Sequence, residues 1–191
     1  MASNPISKLT EEQYLALDRA AEFKSEFLDG EMFAMAGGSR SHARIQQNLA
    51  FELRGALRGS GCEVLSSDIR IKVSGRTYFY ADVSVASERM AEVHDDNLTN
   101  PVAIFEVSSP ATQRFDRDLK FQRYQSIESL KDYVLVRQRQ VHIEHFTRVA
   151  DGRWRFRDLR GQDQELKIDS IGVAIPLQRI YDQVDILPAT D

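Results

Sequence analysis

The stretch Pro101-Val102-Ala103-Ile104-Phe105-Glu106-Val107-Ser108-Ser109-Pro110 decides how the chain is read. Residues 102–107 form a short, continuous apolar run between two prolines. That is the pattern of a strand covered on both faces inside a sheet. One carboxylate interrupts it. An ionised Glu106 in such a strand is costly unless a cation or hydrogen bonds compensate it, so a partner is required. An arginine beside it, or a position at the strand end within reach of water, meets that requirement as a structural feature alone.

Upstream, Asp82 poses the same question in Tyr80-Ala81-Asp82-Val83-Ser84-Val85, where it interrupts a second apolar strand, read here as 78–86. Two acidic residues on neighbouring buried strands can share one hard divalent cation. Mg²⁺ takes one or two carboxylates and leaves its other positions to water and phosphate oxygens. Downstream, residues 115–126 read as a helix on which Asp116, Lys120 and Tyr124, each four apart, share one face. That face is either a solvated surface with an ordinary ion pair, or one from which Lys120 reaches back to the carboxylates and orients or activates a water.

Farther out, Thr10 followed by Gln13 is a capping-box pattern at the start of an amphipathic helix over 9–21. Asp29-Gly30 between Phe27-Leu28 and Met32-Phe33 is a strong hairpin signal. Ile45, Leu49, Leu53 and Leu57 recur every fourth residue up to Gly59, which predicts a helix over 41–58 capped by Ser39 or Ser41. His42 stands in the small-residue lead-in Gly37-Gly38-Ser39-Arg40-Ser41-His42, where backbone amides at a helix N-terminus favour an anion. From Cys62 the period becomes alternating, with Ile69, Ile71 and Val73 opposite Asp68, Arg70 and Lys72. Residues 133–136 and 141–146 read as two more strands, and a Trp154-bearing strand and a short helix after Pro176 complete the pattern. His142 and His145 would face opposite sides of a strand, and so read as surface residues rather than as a metal pair. No repeat, low-complexity tract or Gly/Ser/Pro linker appears. The expectation is a single α/β domain, with an N-terminal helix and hairpin over 9–36, a core over 41–148 and a C-terminal extension over 149–191.

Composition narrows the function. With 42% apolar and 28% charged side chains in 191 residues, disorder, collagen and coiled coil are excluded. No apolar run approaches the roughly 20 residues of a membrane span, and the N-terminus lacks a basic-then-apolar leader pattern, so a cytoplasmic protein without a membrane partner is expected. The single cysteine, Cys62, rules out an internal disulfide and a thiolate zinc site, and reads as a small core hydrophobe. Any metal must then use oxygen or histidine ligands. A formal charge of −4 argues against a protein whose affinity comes from coating phosphates, and leaves nucleic acid only a local basic face.

Taken together, several segments resemble the Uma2 family, also called DUF820, of restriction-endonuclease-like proteins. They are Glu26-Phe27-Leu28-Asp29-Gly30-Glu31, Ala34-Met35-Ala36-Gly37-Gly38-Ser39 with His42 and Asn48, Ser67-Asp68-Ile69-Arg70, Tyr80-Ala81-Asp82-Val83, Phe105-Glu106-Val107-Ser108-Ser109-Pro110, and Phe115-Asp116-Arg117 leading to Lys120-Phe121 and Tyr124. Each is weak alone; their order and spacing make the resemblance specific, and it covers nearly the whole chain. It implies the PD-(D/E)XK nuclease fold, a mixed sheet flanked by helices. It also implies a Mg²⁺ site held by Asp82, Glu106 and the backbone carbonyl of Val107, with Mn²⁺ as a substitute. Ala81 stands where the superfamily has proline before the Asp. Ser108 stands where it has lysine, so the resemblance makes Lys120 the migrated replacement.

The expected activity is Mg²⁺-dependent hydrolysis of DNA phosphodiester bonds by Asp82, Glu106 and Lys120. Glu31 and His42 are accessory residues, and Asp116 and Tyr124 orient Lys120. Replacing Lys120 is expected to leave folding little changed. A homodimer is expected, because a small domain has little room for sequence readout. Two rivals stand beside this reading: a catalytically silent interaction protein on the same fold, and a metal-dependent phosphodiesterase on a non-nucleic substrate.

Overall fold

Asp29 and Gly30 lie at φ 51° and 98°, the pair of left-handed residues that a two-residue hairpin turn needs. In the computed structural model, which describes residues 8–35, 37–74, 76–87, 93–94 and 96–186, they join strands β1 (Ser25–Leu28) and β2 (Glu31–Ala34). Helix α1 (Glu11–Ala20) precedes them, and its capping box closes in both directions between Thr10 and Gln13. Helix α2 (Arg40–Ala56) is capped by Ser39, whose hydroxyl accepts from the His42 N–H. Its Ile45, Leu49 and Leu53 are fully buried, as the four-residue spacing predicts.

Among the described residues, the strands that follow before the last hairpin are β3 (Cys62–Ser66), β4 (Arg70–Ser74), β5 (Thr77–Tyr80), β6 (Val83–Ser87), β7 (Val93–His94), β8 (Asn97–Leu98), β9 (Ala103–Ser108), β10 (Asp132–Arg137), β11 (His142–Arg148) and β12 (Trp154–Arg160). The hairpin itself is β13 (Glu165–Ile168) and β14 (Val173–Pro176), followed by helix α4 (Leu177–Ile180). The principal sheet runs β12-β11-β10-β9-β6-β3. Only β9 and β10 pair in parallel within it, and helix α3 makes the crossover between them. This helix is π-wound over Phe115–Lys120 and α-helical over Phe121–Tyr124. The second sheet runs β2-β1-β5-β4-β8-β7.

All six residues of β9 are buried, as its apolar run requires. Phe105 and Val107 pack toward α2 with Val83, Val85, Val134 and Val136, while Ile104 packs toward α3 with Tyr124, Tyr133 and Leu135. The result is a mixed sheet with helices on both faces. Leu166, Ile175 and Leu177 of the C-terminal extension join the core on the α2 side, and half-buried Cys62 packs against it. Among the described residues no helix is long and apolar enough to cross a membrane.

Two expectations fail in the same way. The alternating stretch that starts at Cys62 is not one strand: β3 lies in the principal sheet and β4 in the second. Residues 78–86 likewise divide at Ala81-Asp82 into β5 of the second sheet and β6 of the principal one. Each half keeps its period of two across the break, so periodicity alone does not reveal a chain that changes sheets. Of the polar stretch 88–100, residues 88–92 and 95 lie outside the described ones.

Candidate active site

Alternation along β9 turns Ile104, Glu106 and Ser108 toward α3. Glu106 is only 4% exposed, and its Oε1 accepts from Lys120 Nζ and from the Tyr124 hydroxyl, each at 3.2 Å. Lys120 is as deeply buried and stands closer to another carboxylate: its Nζ lies 2.7 Å from Glu26 Oε1, on β1, and 3.4 Å from the Tyr80 carbonyl oxygen. The rings of Phe79 and Phe115 stand 5.5 and 5.9 Å from the ammonium. The buried ammonium therefore bridges two sheets, with Glu26 on one side and Glu106 on the other.

Asp82 occupies the break between β5 and β6. The β6–β9 ladder ends at the Val83–Phe105 pair, so the Val107 N–H has no strand carbonyl opposite it. Asp82 Oδ2 accepts that N–H at 2.7 Å, and Oδ1 lies 2.8 Å from His42 Nε2 at the start of α2. Gln46, one turn on, donates to the Asp82 carbonyl at 2.9 Å. The change of sheet thus leaves one amide unpaired and supplies a carboxylate to meet it.

The electrostatics follow from crowding. Burial pushes the Glu106 carboxyl well above the usual range; Lys120 opposes this, while Asp116, Asp82 and Glu26 add to it. Burial also works against the Lys120 ammonium, yet Glu106, Glu26 and Asp116 more than offset it and keep the group charged. For His42, burial again opposes charge, and the hydrogen bond to Asp82 with its negative charge raises the imidazole above its ordinary value. Burial raises Tyr124 as well, so it stays a neutral donor to Glu106.

The structure thus gathers Asp82, Glu106, Lys120, Tyr124, His42 and the Val107 backbone. Tyr124 and Asp116 are present on terms other than those expected: the Tyr124 hydroxyl donates to Glu106 rather than orienting Lys120. Asp116 Oδ2 accepts from the Ser108 hydroxyl at 3.0 Å, and burial raises its carboxyl despite Lys120 nearby. Its influence on Lys120 is that of a nearby charge rather than a hydrogen bond. Glu31 is not brought in: it stands exposed at the hairpin turn and forms no hydrogen bond or ion pair with this cluster. Glu26, from the same hairpin, takes the place at Lys120. Its signal was the one that singled out Glu106, a carboxylate next to apolar strand residues, but four residues of β1 were too few to show it. His142 and His145 are buried rather than on the surface, held by Asp158 at 2.5 Å and Asp132 at 2.7 Å.

Among the described residues no three His, Cys, Asp or Glu side chains are grouped so as to hold a metal ion. Two carboxylates and a backbone carbonyl fall below that number, and their chemistry still suits a hard cation. All are oxygen donors, and Asp82, Glu106, Asp116 and Glu26 together outnumber Lys120 and His42 in a largely buried space.

A family model, Uma2, described as "Putative restriction endonuclease", matches residues 11–178. The uncharacterized protein slr1290 of Synechocystis is 34% identical over 180 residues, 94% of either chain. A second uncharacterized Synechocystis protein, sll1609, is 34% identical over 162 residues, 83% of this chain and 92% of its own. Among solved structures, that of "a putative nuclease belonging to DUF820" from Anabaena variabilis matches with a TM-score of 0.75 at 12% identity, over 91% of this chain and 97% of the other. At that identity the likeness is one of fold.

Proposed function

We propose that this chain, which belongs to the Uma2 family, is a Mg²⁺-dependent endonuclease that hydrolyses DNA phosphodiester bonds at Asp82 and Glu106. The family's description supports a nuclease-type function. The observation that carries the finer reading is the crowding of four carboxyl groups, those of Glu26, Asp82, Glu106 and Asp116, about the single ammonium of Lys120.

Asp82, Glu106 and the Val107 carbonyl would hold the ion, with Mn²⁺ able to replace Mg²⁺. The chemistry such an ion would supply is polarisation of the scissile phosphate and a lowered pKa of a bound water. The chain's own groups do the positioning. The Val107 N–H and His42 fix the two oxygens of Asp82, and Tyr124 orients Glu106. Lys120, kept charged by its carboxylates, supplies a positive group for the charge that develops on phosphate. A homodimer provides the contact area that one small domain lacks.

One observation favours the silent interaction protein. Both oxygens of Asp82 are already engaged and Glu106 is tied to Lys120, so the network holds together as a structural device. Nicking of supercoiled plasmid decides, run with Mg²⁺, Mn²⁺ and EDTA beside a small synthetic phosphodiester. Nicking that needs the metal is expected. Metal-dependent hydrolysis of the small ester alone would favour a non-nucleic substrate, and none of either would favour the interaction protein.

A further inference from the structure

The net charge of −4 conceals a strong asymmetry. Residues 114–160 carry twelve Lys/Arg against seven Asp/Glu, while the rest of the chain carries thirteen against twenty-two. The basic segment contains α3, β10, β11 and β12, the elements on one side of Glu106.

Register shows which of its charges lie on the α3 face; Arg155 and Arg157 alternate to the other. Glu106 on β9 is opposite Leu135, Leu135 is opposite Glu144, and Glu144 is opposite Asp158, so one row crosses four strands on the α3 face. The next row on that face holds Ser108 opposite Arg137, and His142 opposite Arg160. Two guanidinium groups share the single carboxylate of Glu144: Arg137 Nη2 at 2.7 Å and Arg117 Nε, from α3, at 3.3 Å. One positive charge is left over. Arg137 is buried, and among the described residues its Nη1 has no hydrogen-bond partner. At the outer end, Asp158 is shared between His142 at 2.5 Å and Arg160 at 2.7 Å. Arg117 and Arg160 remain open to solvent, with side chains 47% and 64% exposed.

We infer that this strip, running outward from Glu106 across β10, β11 and β12, is the track on which the backbone phosphates of a nucleic-acid strand lie. Arg117 and Arg160 meet phosphates, and Arg137 with Glu144 holds the charge in place beneath them. The inference rests on the nuclease reading for the class of ligand, and adds the direction in which the strand leaves the site. It also answers the objection from net charge, because affinity for a polyanion depends on the local field rather than the total.

The test is fluorescence anisotropy of a labelled DNA duplex across a salt series, once in EDTA and once in Ca²⁺. The variants are Arg117→Ala/Arg160→Ala, both at exposed positions, and Arg137→Gln/Glu144→Gln, which leaves no buried charge alone. Arg54→Ala/Arg58→Ala, in the last turn of α2 and just past its end, is the control. Losing two phosphate contacts should weaken binding about 10- to 100-fold and reduce the slope of log affinity against log salt by about two, with the control unchanged. Unaltered affinity and slope in the Arg117/Arg160 variant, or no binding by the unaltered protein in either buffer, would overturn the strip. If the protein binds through these arginines but never nicks plasmid, the strip stands and hydrolysis falls. If it nicks and the variants bind normally, the reverse holds.

Discussion

Glu106→Gln should abolish plasmid nicking in Mg²⁺ or Mn²⁺ while leaving the protein as resistant to urea as before. The two halves have one cause. Burial already drives the Glu106 carboxyl toward its neutral form, and a neutral amide of the same shape relieves the repulsion from Asp116, Asp82 and Glu26. Lys120 keeps its closer partner, Glu26, at 2.7 Å. The fold therefore does not need the charge, whereas a cation does, and replacing one of two carboxylate ligands removes binding and chemistry together. A cleavage loss accompanied by a large fall in the unfolding midpoint would show that Glu106 serves the fold instead.

Lys120 should behave in the opposite way. With its ammonium buried 2.7 Å from Glu26, Lys120→Met leaves that carboxylate without its cation. Removing one partner of a buried ion pair costs about 3–5 kcal/mol, so a marked drop in the urea midpoint is expected. This corrects the expectation that folding changes little, which treated Lys120 as a reaching surface side chain. Cleavage should fall by about a hundredfold, comparable to losing one preorganised donor. Adding Glu26→Gln to Lys120→Met removes one stranded charge and should restore part of the stability without restoring nicking. Recovery of both would place Lys120 outside the chemistry; recovery of neither would mean that Glu26 is not its main partner.

The elements that were legible in the sequence are those in which one physical signal dominates. The apolar run around Glu106 places β9 at the centre of a sheet, four-residue spacing places α2, and Asp29-Gly30 places the first turn. Asp82 and Glu106 stood out because a charge in an apolar strand needs an explanation, and the fold does bring both toward the α2 and α3 ends of one cluster. What escaped depends on contacts between distant segments. No local pattern tells that the strand carrying Asp82 leaves one sheet for another, or that Asp82 meets the Val107 amide because of it. Glu26 and Glu31 project from the same face of one hairpin and differ in that β1 pairs with β5 inside the sheet while β2 forms its edge, which no local pattern shows. His145 looked like a surface residue because its partner Asp132 lies on the neighbouring strand. The spacing of Asp116, Lys120 and Tyr124 assumed α-helical turns, whereas the helix is π-wound through Lys120, a form found often at functional sites.

Asp82 and Glu106 together should bind a divalent cation. Calorimetric titration of Mn²⁺ into the unaltered protein and into Asp82→Asn, in which the amide oxygen can still accept the Val107 N–H, measures this. The unaltered protein should show a saturable heat of binding that the variant lacks. Equal binding by the two proteins, or none by either, would contradict it.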